Sequence, residues 1–253
     1  MSKNGGIDIP LYDSKYDGFL FEKNGIYLES HDAFQLPPLD KGDFKADLMG
    51  GGKRIYTMPK EKTIRLELKI ANDRVSASRP DFGLYQVMQL FYKTEPKPLV
   101  IFERPDRYIN CLLKSSIEVS DHPGFTSLTV ALLANDPLFY SLDEFERTFL
   151  AGTDNYLVME GNAPHFPEIV IKGVAVNPTL TVANDYGVFS IRYSGSLGAS
   201  DKWEIHTRDY RSNYNTGPSD GRVTKDRLLI APGTNVFHLS QGTMTMKYRW
   251  SWY

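Results

Sequence analysis

The sequence predicts an all-β chain of two domains, the first carrying a single α-helix. Three observations carry that prediction. Apolar residues alternate with polar ones at period two through most of the chain, the signature of half-buried strands. In the second half, short apolar runs follow one another closely between Gly, Pro, Asn and Asp, as in a sandwich or jelly roll. Composition also changes after Ser141, where Asp143, Glu144, Glu146 and Arg147 read as a charged bridge between the halves.

In chain order, Phe19 and Phe21 face Ile26 and Leu28 across Asn24-Gly25, a strong short hairpin signal. Ile64, Leu66, Leu68 and Ile70 alternate with Arg65, Glu67 and Lys69 in one strand. Ser78 and Asp81 form a capping box with Pro80 in the first turn. Leu84, Val87, Met88 and Phe91 then recur at helical spacing until Pro96 and Pro98, and that apolar stripe belongs on a sheet face. Ile109, Cys111, Leu113, Ile117 and Val119 alternate as one strand. Asp121-His122-Pro123-Gly124 turns it into a partner bearing Leu128, Val130 and Leu132.

Beyond Ser141 the expected strands are Tyr156 to Glu160, Ile169 to Ile171, Leu180 to Val182, Phe189 to Tyr193, Trp203 to Thr207, Arg227 to Ile230, Val236 to Leu239 and Thr243 to Trp252. In the last, Met244, Met246, Tyr248, Trp250 and Trp252 alternate throughout. The boundary falls near Pro137 to Asp143, giving domains 1–138 and 139–253. Two early stretches, Ile7 to Ile26 and Phe34 to Met58, are rich in Tyr, Phe, Leu, Gly and Pro without periodicity. They are expected to wrap a neighbouring subunit or a sheet edge.

Bulk properties exclude several classes. The 253 residues suit one large or two ordinary domains. The net charge of −2 gives no basic footprint for nucleic acid. One cysteine, Cys111, permits no intrachain disulfide, which suits a reducing cytoplasm. No apolar run is long enough to span a membrane, and Met1 to Gly6 lacks a signal-peptide core. A soluble protein, intracellular when made, is expected.

Two motifs carry a family resemblance. Asp136-Pro137-Leu138-Phe139-Tyr140-Ser141 stops a long strand abruptly at an aromatic cluster. Gly161-Asn162-Ala163-Pro164-His165-Phe166-Pro167-Glu168-Ile169-Val170-Ile171-Lys172-Gly173 opens a second strand-rich region. This pairing resembles the distal tail proteins (Dit) of long-tailed, non-contractile bacteriophages. Pro232-Gly233-Thr234-Asn235 matches the turn before that family's last strands. Asp17-Gly18-Phe19-Leu20-Phe21 looks like its opening hairpin, while Leu36 to Gly52 departs from its commonest pattern.

The resemblance implies a sandwich-like N-terminal domain with one helix and a hairpin, followed by a galectin-like β-sandwich. It also implies a non-enzymatic tail-tip hub: a hexameric ring of N-terminal domains around a DNA channel, with the C-terminal domains projecting outward. Its partners would be the tail tube protein and a tail-tip adsorption protein. The protein would reside in the virion after assembly in the host bacterial cytoplasm. Sequence-specific nucleic-acid binding and membrane insertion are not expected, nor is any cofactor.

Sharper chemistry finds little support. Gly50-Gly51-Gly52-Lys53 lacks phosphate-loop spacing, because Arg54 follows the lysine and no helix pattern follows. It reads as a loop, with an inter-subunit role in the hub reading. His31, His122, His165, His206 and His238 show no zinc-ligand spacing. Asp143, Glu144 and Glu146 read as solvated linker charges rather than a glycosidase pair. No nucleophile elbow occurs. Cys111, in phase with Ile109 and Leu113, belongs to the core. Trp203, Tyr210 and Tyr214, in or beside the polar stretch Arg208 to Gly217, are the candidate sugar contacts. They support an alternative role as a carbohydrate-binding module that attaches to a host-surface saccharide. The galectin signature itself is absent, and a shared fold does not carry function.

Overall fold

The computed structural model describes residues 13–36, 61–71, 84–208, 211–225 and 228–253. Gly50 to Gly52, the capping box at Ser78 to Asp81, Tyr210 and most of the Phe34 to Met58 stretch lie outside the described residues. Two compact units are present, the described residues through Phe139 and then Tyr140–Trp252.

The first unit is built on β1 (Lys15–Tyr16), β2 (Phe19–Leu20), β3 (Ile26–His31), β4 (Lys62–Ala71), α1 (Leu84–Phe91), β5 (Lys97–Val100), β6 (Arg107–Leu113), β7 (Glu118–His122) and β8 (Phe125–Ala134). The sheet order is β2-β1-β5-β6-β8-β4-β3, with β7 paired to β8. The β4–β8 ladder is antiparallel and in register over ten positions, from Lys62↔Ala134 to Ala71↔Phe125. Its inward side chains, Ile64, Leu66, Leu68, Leu128, Val130 and Leu132, are all buried, as period-two alternation requires. The stripe of α1 buries Val87 and Phe91. Phe91 stacks on Tyr16 at 5.2 Å and lies 6.2 Å from Phe21, so the helix packs on the β1–β2 end of the sheet.

β9 (Phe139–Ser141) precedes the strands of the second unit: β10 (Phe145–Leu150), β11 (Asp154–Met159), β12 (Glu168–Lys172), β13 (Ala175–Val176), β14 (Thr179–Asn184), β15 (Gly187–Tyr193), β16 (Ser196–Leu197), β17 (Lys202–His206), β18 (Arg211–Tyr214), β19 (Gly217–Pro218), β20 (Val223–Lys225), β21 (Gly233–Leu239), β22 (Thr243–Tyr248) and β23 (Ser251–Trp252). They form a six-stranded sheet, β10-β22-β12-β17-β18-β19, a five-stranded sheet, β11-β21-β14-β15-β20, and a two-stranded sheet, β13-β16, while β23 pairs with β9. Both larger sheets contribute to one core. Phe149 stacks on Phe237 at 5.2 Å, and Trp203 meets Tyr193 at 5.4 Å, each pair joining one sheet to the other. This is an antiparallel β-sandwich, and the all-β, two-unit class predicted from sequence is the one observed.

Several local expectations are corrected. Asn24-Gly25 does not turn a two-residue hairpin. Residues Glu22–Asn24 form a 3-10 turn because Asp13 accepts the Glu22 and Lys23 amides at 2.8 and 3.0 Å. The hairpin is β1–β2 instead, turned by Asp17 and Gly18 with φ of 51° and 79°. The run from Ile109 to Val119 is two strands, broken where Ser115 interrupts the alternation, and Val119 is exposed. The charged bridge is largely strand β10. It pairs with β22 over six positions, and its charges disguised the alternation of Phe145 and Phe149. Of the expected strand Arg227 to Ile230, Arg227 lies outside the described residues and Leu228 to Ile230 joins no ladder: Ile230 makes an isolated bridge to His165. The buried Asn235 side chain satisfies both the N–H and C=O of Ala231, each at 2.8 Å, doing the work of a neighbouring strand. The final alternation stops at Tyr248, and after Arg249-Trp250 the phase slips so that Ser251 points inward.

Trp203 is fully buried between the two sheets. Replacing it with Ala should therefore cost the second unit about 3–5 kcal/mol, measured by denaturant unfolding. A change below about 1 kcal/mol would place the residue on the surface.

Candidate functional site

The catalytic candidates do not converge. Among the described residues no group of three or more His, Cys, Asp and Glu could hold a metal. Glu144 and Glu146 are paired with Arg249 at 3.5 Å and Lys247 at 3.9 Å. Cys111 is buried, and desolvation pushes its thiol far above the ordinary range. Trp203 presents no ring to solvent. Tyr214 is half-buried, stacked on Tyr193 at 5.7 Å, with its hydroxyl donating to Asp201. Trp203 belongs to the core, and Tyr214 packs against it.

What the structure does bring together are the two resemblance motifs. Both meet the segment Arg249 to Ser251. Ser141 donates its N–H to the Trp250 carbonyl at 3.0 Å, and its Oγ accepts the Trp250 N–H at 3.1 Å. The Arg249 guanidinium donates to the carbonyls of Ser141 and Leu142. From the other motif, Asn162 and Ala163 donate their N–H groups to the Ser251 carbonyl, at 3.1 and 3.2 Å. The Ser251 hydroxyl donates to Ala163 O at 2.9 Å. Gly161 sits against that carbonyl: a Cβ there would lie 2.1 Å from Ser251 O, at φ of +108°.

His165 completes the bracket. Its Nε2 accepts the Arg249 backbone N–H at 3.3 Å, which leaves the ring proton on Nδ1. Its ring stands edge-on to Tyr140 at 5.9 Å, and Arg208 donates to the Tyr140 hydroxyl at 2.9 Å. Burial first, then the Arg208 and Arg249 charges, pull the imidazole down from 6.5 to about 3.

Among the described residues three strands of the first unit have a single partner: the two-residue β2, and the longer β3 and β7. Among the described residues β3 pairs only with β4, and β7 only with β8. The four strands β7-β8-β4-β3 alternate in direction, so β7 and β3 run antiparallel at opposite edges. Every residue of β7 is exposed. The face of these strands away from the core carries the small polar side chains Thr63, Ser120, Ser127 and Thr129 together with the larger Tyr27, His122, Phe125 and Leu133. Glu29, Glu67 and Glu118 share that face with Arg65, Lys69 and Lys114, whose Nζ reaches Thr63. Lys69 pairs with Glu29, so charge on this face is balanced.

The outer faces of the sandwich are unlike each other. Across the six-stranded sheet a charged row runs in register through Glu146, Lys247, Glu168, His206 and Arg211. Across the five-stranded sheet an apolar row runs through Tyr156, Val236, Ala183 and Val188, with Tyr156 60% and Val188 69% exposed.

The chain has the fold of a phage tail hub protein. The crystal structure of the Dit protein of phage SPP1, described as a paradigm of the hub adsorption apparatus in phages infecting Gram-positive hosts, matches with a TM-score of 0.70. The match covers 94% of this chain and 98% of that one, at 14% sequence identity. No protein-family model matches the sequence, and no curated protein matches it. The Dit-like fold spans both units, so the resemblance first seen in two short motifs extends over nearly the whole chain. Sequence reasoning missed Ser251, Arg249 and the open edges. Ser251 was hidden because the slipped phase after Tyr248 leaves no periodic signal.

Two outcomes follow for the bracket. Gly161→Ala should destabilise the second unit by about 3 kcal/mol or more. Gly152→Ala, also at positive φ but with open space around it, should cost only about 1–2 kcal/mol. Thermal melting compares them, and equal losses would refute the close approach. For His165, the unfolded chain takes a proton below 6.5 that the folded protein refuses until about 3. Stability is therefore full above 6.5 and falls as pH drops through that window, by up to about 1.4 kcal/mol per pH unit. His165→Gln should flatten the fall between about pH 6.5 and about pH 4 in urea unfolding. An unchanged slope would show that His165 is not the group responsible.

Proposed function

We propose that the chain is a structural hub of a long-tailed phage tail tip, without catalysis. In this reading it forms a hexameric ring that joins the tail tube to tip and adsorption proteins and lets DNA pass. The first unit, residues 1–138, forms the ring, and the second, residues 139–253, serves partner contact. The observation that carries the reading is the pair of open, oppositely directed edges on β3 and β7.

An edge strand left unpaired invites pairing with another chain, and closure removes every edge. Here β7 of one subunit can add antiparallel to β3 of the next, extending β7-β8-β4-β3 without reversing direction. Such a contact is heterologous and repeats until the rotation closes. The face away from the core then lines the lumen. Its balanced charge suits passing DNA, because a basic wall would hold phosphate through strong, salt-dependent contacts. An obligate ring interface of this kind commonly buries about 2,000 Å² or more, so side chains flanking both strands must also meet. The fold shared with a hub adsorption protein over 94% of the chain supports the same role.

Proline variants test the pairing. Successive N–H groups along a strand point to opposite edges, so of Val119→Pro and Ser120→Pro one removes an outward donor and the other a donor within the hairpin. Negative-stain imaging of the protein with tail tube protein should show rings for the wild type. The outward-donor variant should keep the wild-type melting temperature and form no rings. Rings from both variants would reject edge pairing, and no rings from the wild type would reject the hub.

A further inference from the structure

The middle of the charged row on the six-stranded sheet lines a cleft of about 230 Å³ in the second unit. Phe166 and Tyr248 give its lining aromatic surface; Arg208, Lys247 and His206 bring donors, and Glu168 brings acceptors. Glu168 stands between Lys247 and His206 in register across β22, β12 and β17. Its carboxylate lies 3.9 Å from His206 Nδ1, too far for a direct hydrogen bond and wide enough for a hydroxyl to bridge. The side chains are within reach of a ligand, with Glu168 68%, Lys247 48% and His206 39% exposed.

Alternating donors and acceptors beside aromatic carbon match a ligand whose neighbouring hydroxyls each give and take a hydrogen bond. An acceptor-only group such as phosphate would meet repulsion from Glu168. The volume is below the roughly 300–1,000 Å³ of drug-sized pockets, which leaves room for about one ring. We propose that this cleft is a saccharide subsite that takes a single pyranose ring, with Glu168 and His206 as its specificity-determining pair. The site is separate from Trp203 and Tyr214, neither of which lines it, and independent of ring assembly, so either reading can fail without the other.

Glucose, galactose and N-acetylglucosamine, titrated separately into the full chain and followed by NMR of the histidine rings, test it. At least one sugar should shift the His206 and His165 resonances saturably. Glu168→Ala should weaken that binding roughly tenfold or more, the loss expected of a charged hydrogen bond. Lys172→Gln, on the same sheet face but away from the cleft, should leave it unchanged, and both variants should melt and assemble like wild type. No saturable shift with any of the three sugars would overturn the proposal. So would equal affinity in Glu168→Ala, or displacement of the sugar by inorganic phosphate at comparable concentration.

Discussion

The two oxygens of Ser251 hold the second unit closed. The carbonyl accepts two consecutive amides from Asn162 and Ala163, and the hydroxyl returns a bond to Ala163 O. Ser251 is fully buried, so an unmet partner there would cost about 1–3 kcal/mol. The approach is possible only because Gly161 has no Cβ. Arg249 and Trp250 extend the same bracket to Ser141. One short segment thus fixes both the entry to the sandwich and the turn that feeds β12. The two resemblance motifs are the two halves of this bracket, which explains their pattern physically. The abrupt stop after the long strand β8 delivers Ser141 to Trp250, and Gly-Asn-Ala delivers two amides to one carbonyl.

The first unit obeys a different constraint. Its ten-position β4–β8 ladder is rigidly specified, because a one-residue slip would turn every buried Leu and Ile outward. The strands flanking that ladder are polar at their margins. β7 carries Glu118, Asp121 and His122, and β3 carries Glu29, Ser30 and His31. Polar edges of this kind keep a lone subunit soluble while leaving backbone donors and acceptors available to a matching strand. Each unit thus has one closed side and one surface fit for a partner, and among the described residues no group of three or more His, Cys, Asp and Glu could hold a metal.

Much of this was legible in the sequence. Alternation located β4, β8, β12, β17 and the first part of β22, and the helical stripe located α1, because in each case one face is buried and the other wet. The misses share a cause. In β10, Glu146 and Arg147 sit on an edge strand, where charge is tolerated, and so the strand read as linker. At Asn24-Gly25 a distant residue, Asp13, captured the amides and overrode the local turn preference. At Leu228 to Ala231 the Asn235 side chain replaced a strand partner, so burial came without a ladder. Trp203, though expected in a strand, was offered as a sugar contact because the polar stretch after it read as a loop, yet Arg211–Tyr214 is itself a strand paired with β17 and Trp203 is fully buried. The bracket and the cleft depend on residues far apart in sequence, which periodicity cannot register.

Edge pairing between subunits is the central claim, and amide hydrogen exchange resolves it strand by strand. The free protein and the ring formed with tail tube protein would be compared under the same conditions. Half of the amides of β3 and β7, those pointing away from β4 and β8, should exchange fast in the free protein and become strongly protected in the ring. Amides within the β4–β8 ladder should be protected in both. Rings in which β3 and β7 keep their fast-exchanging amides, while protection appears elsewhere on the first unit, would contradict the account.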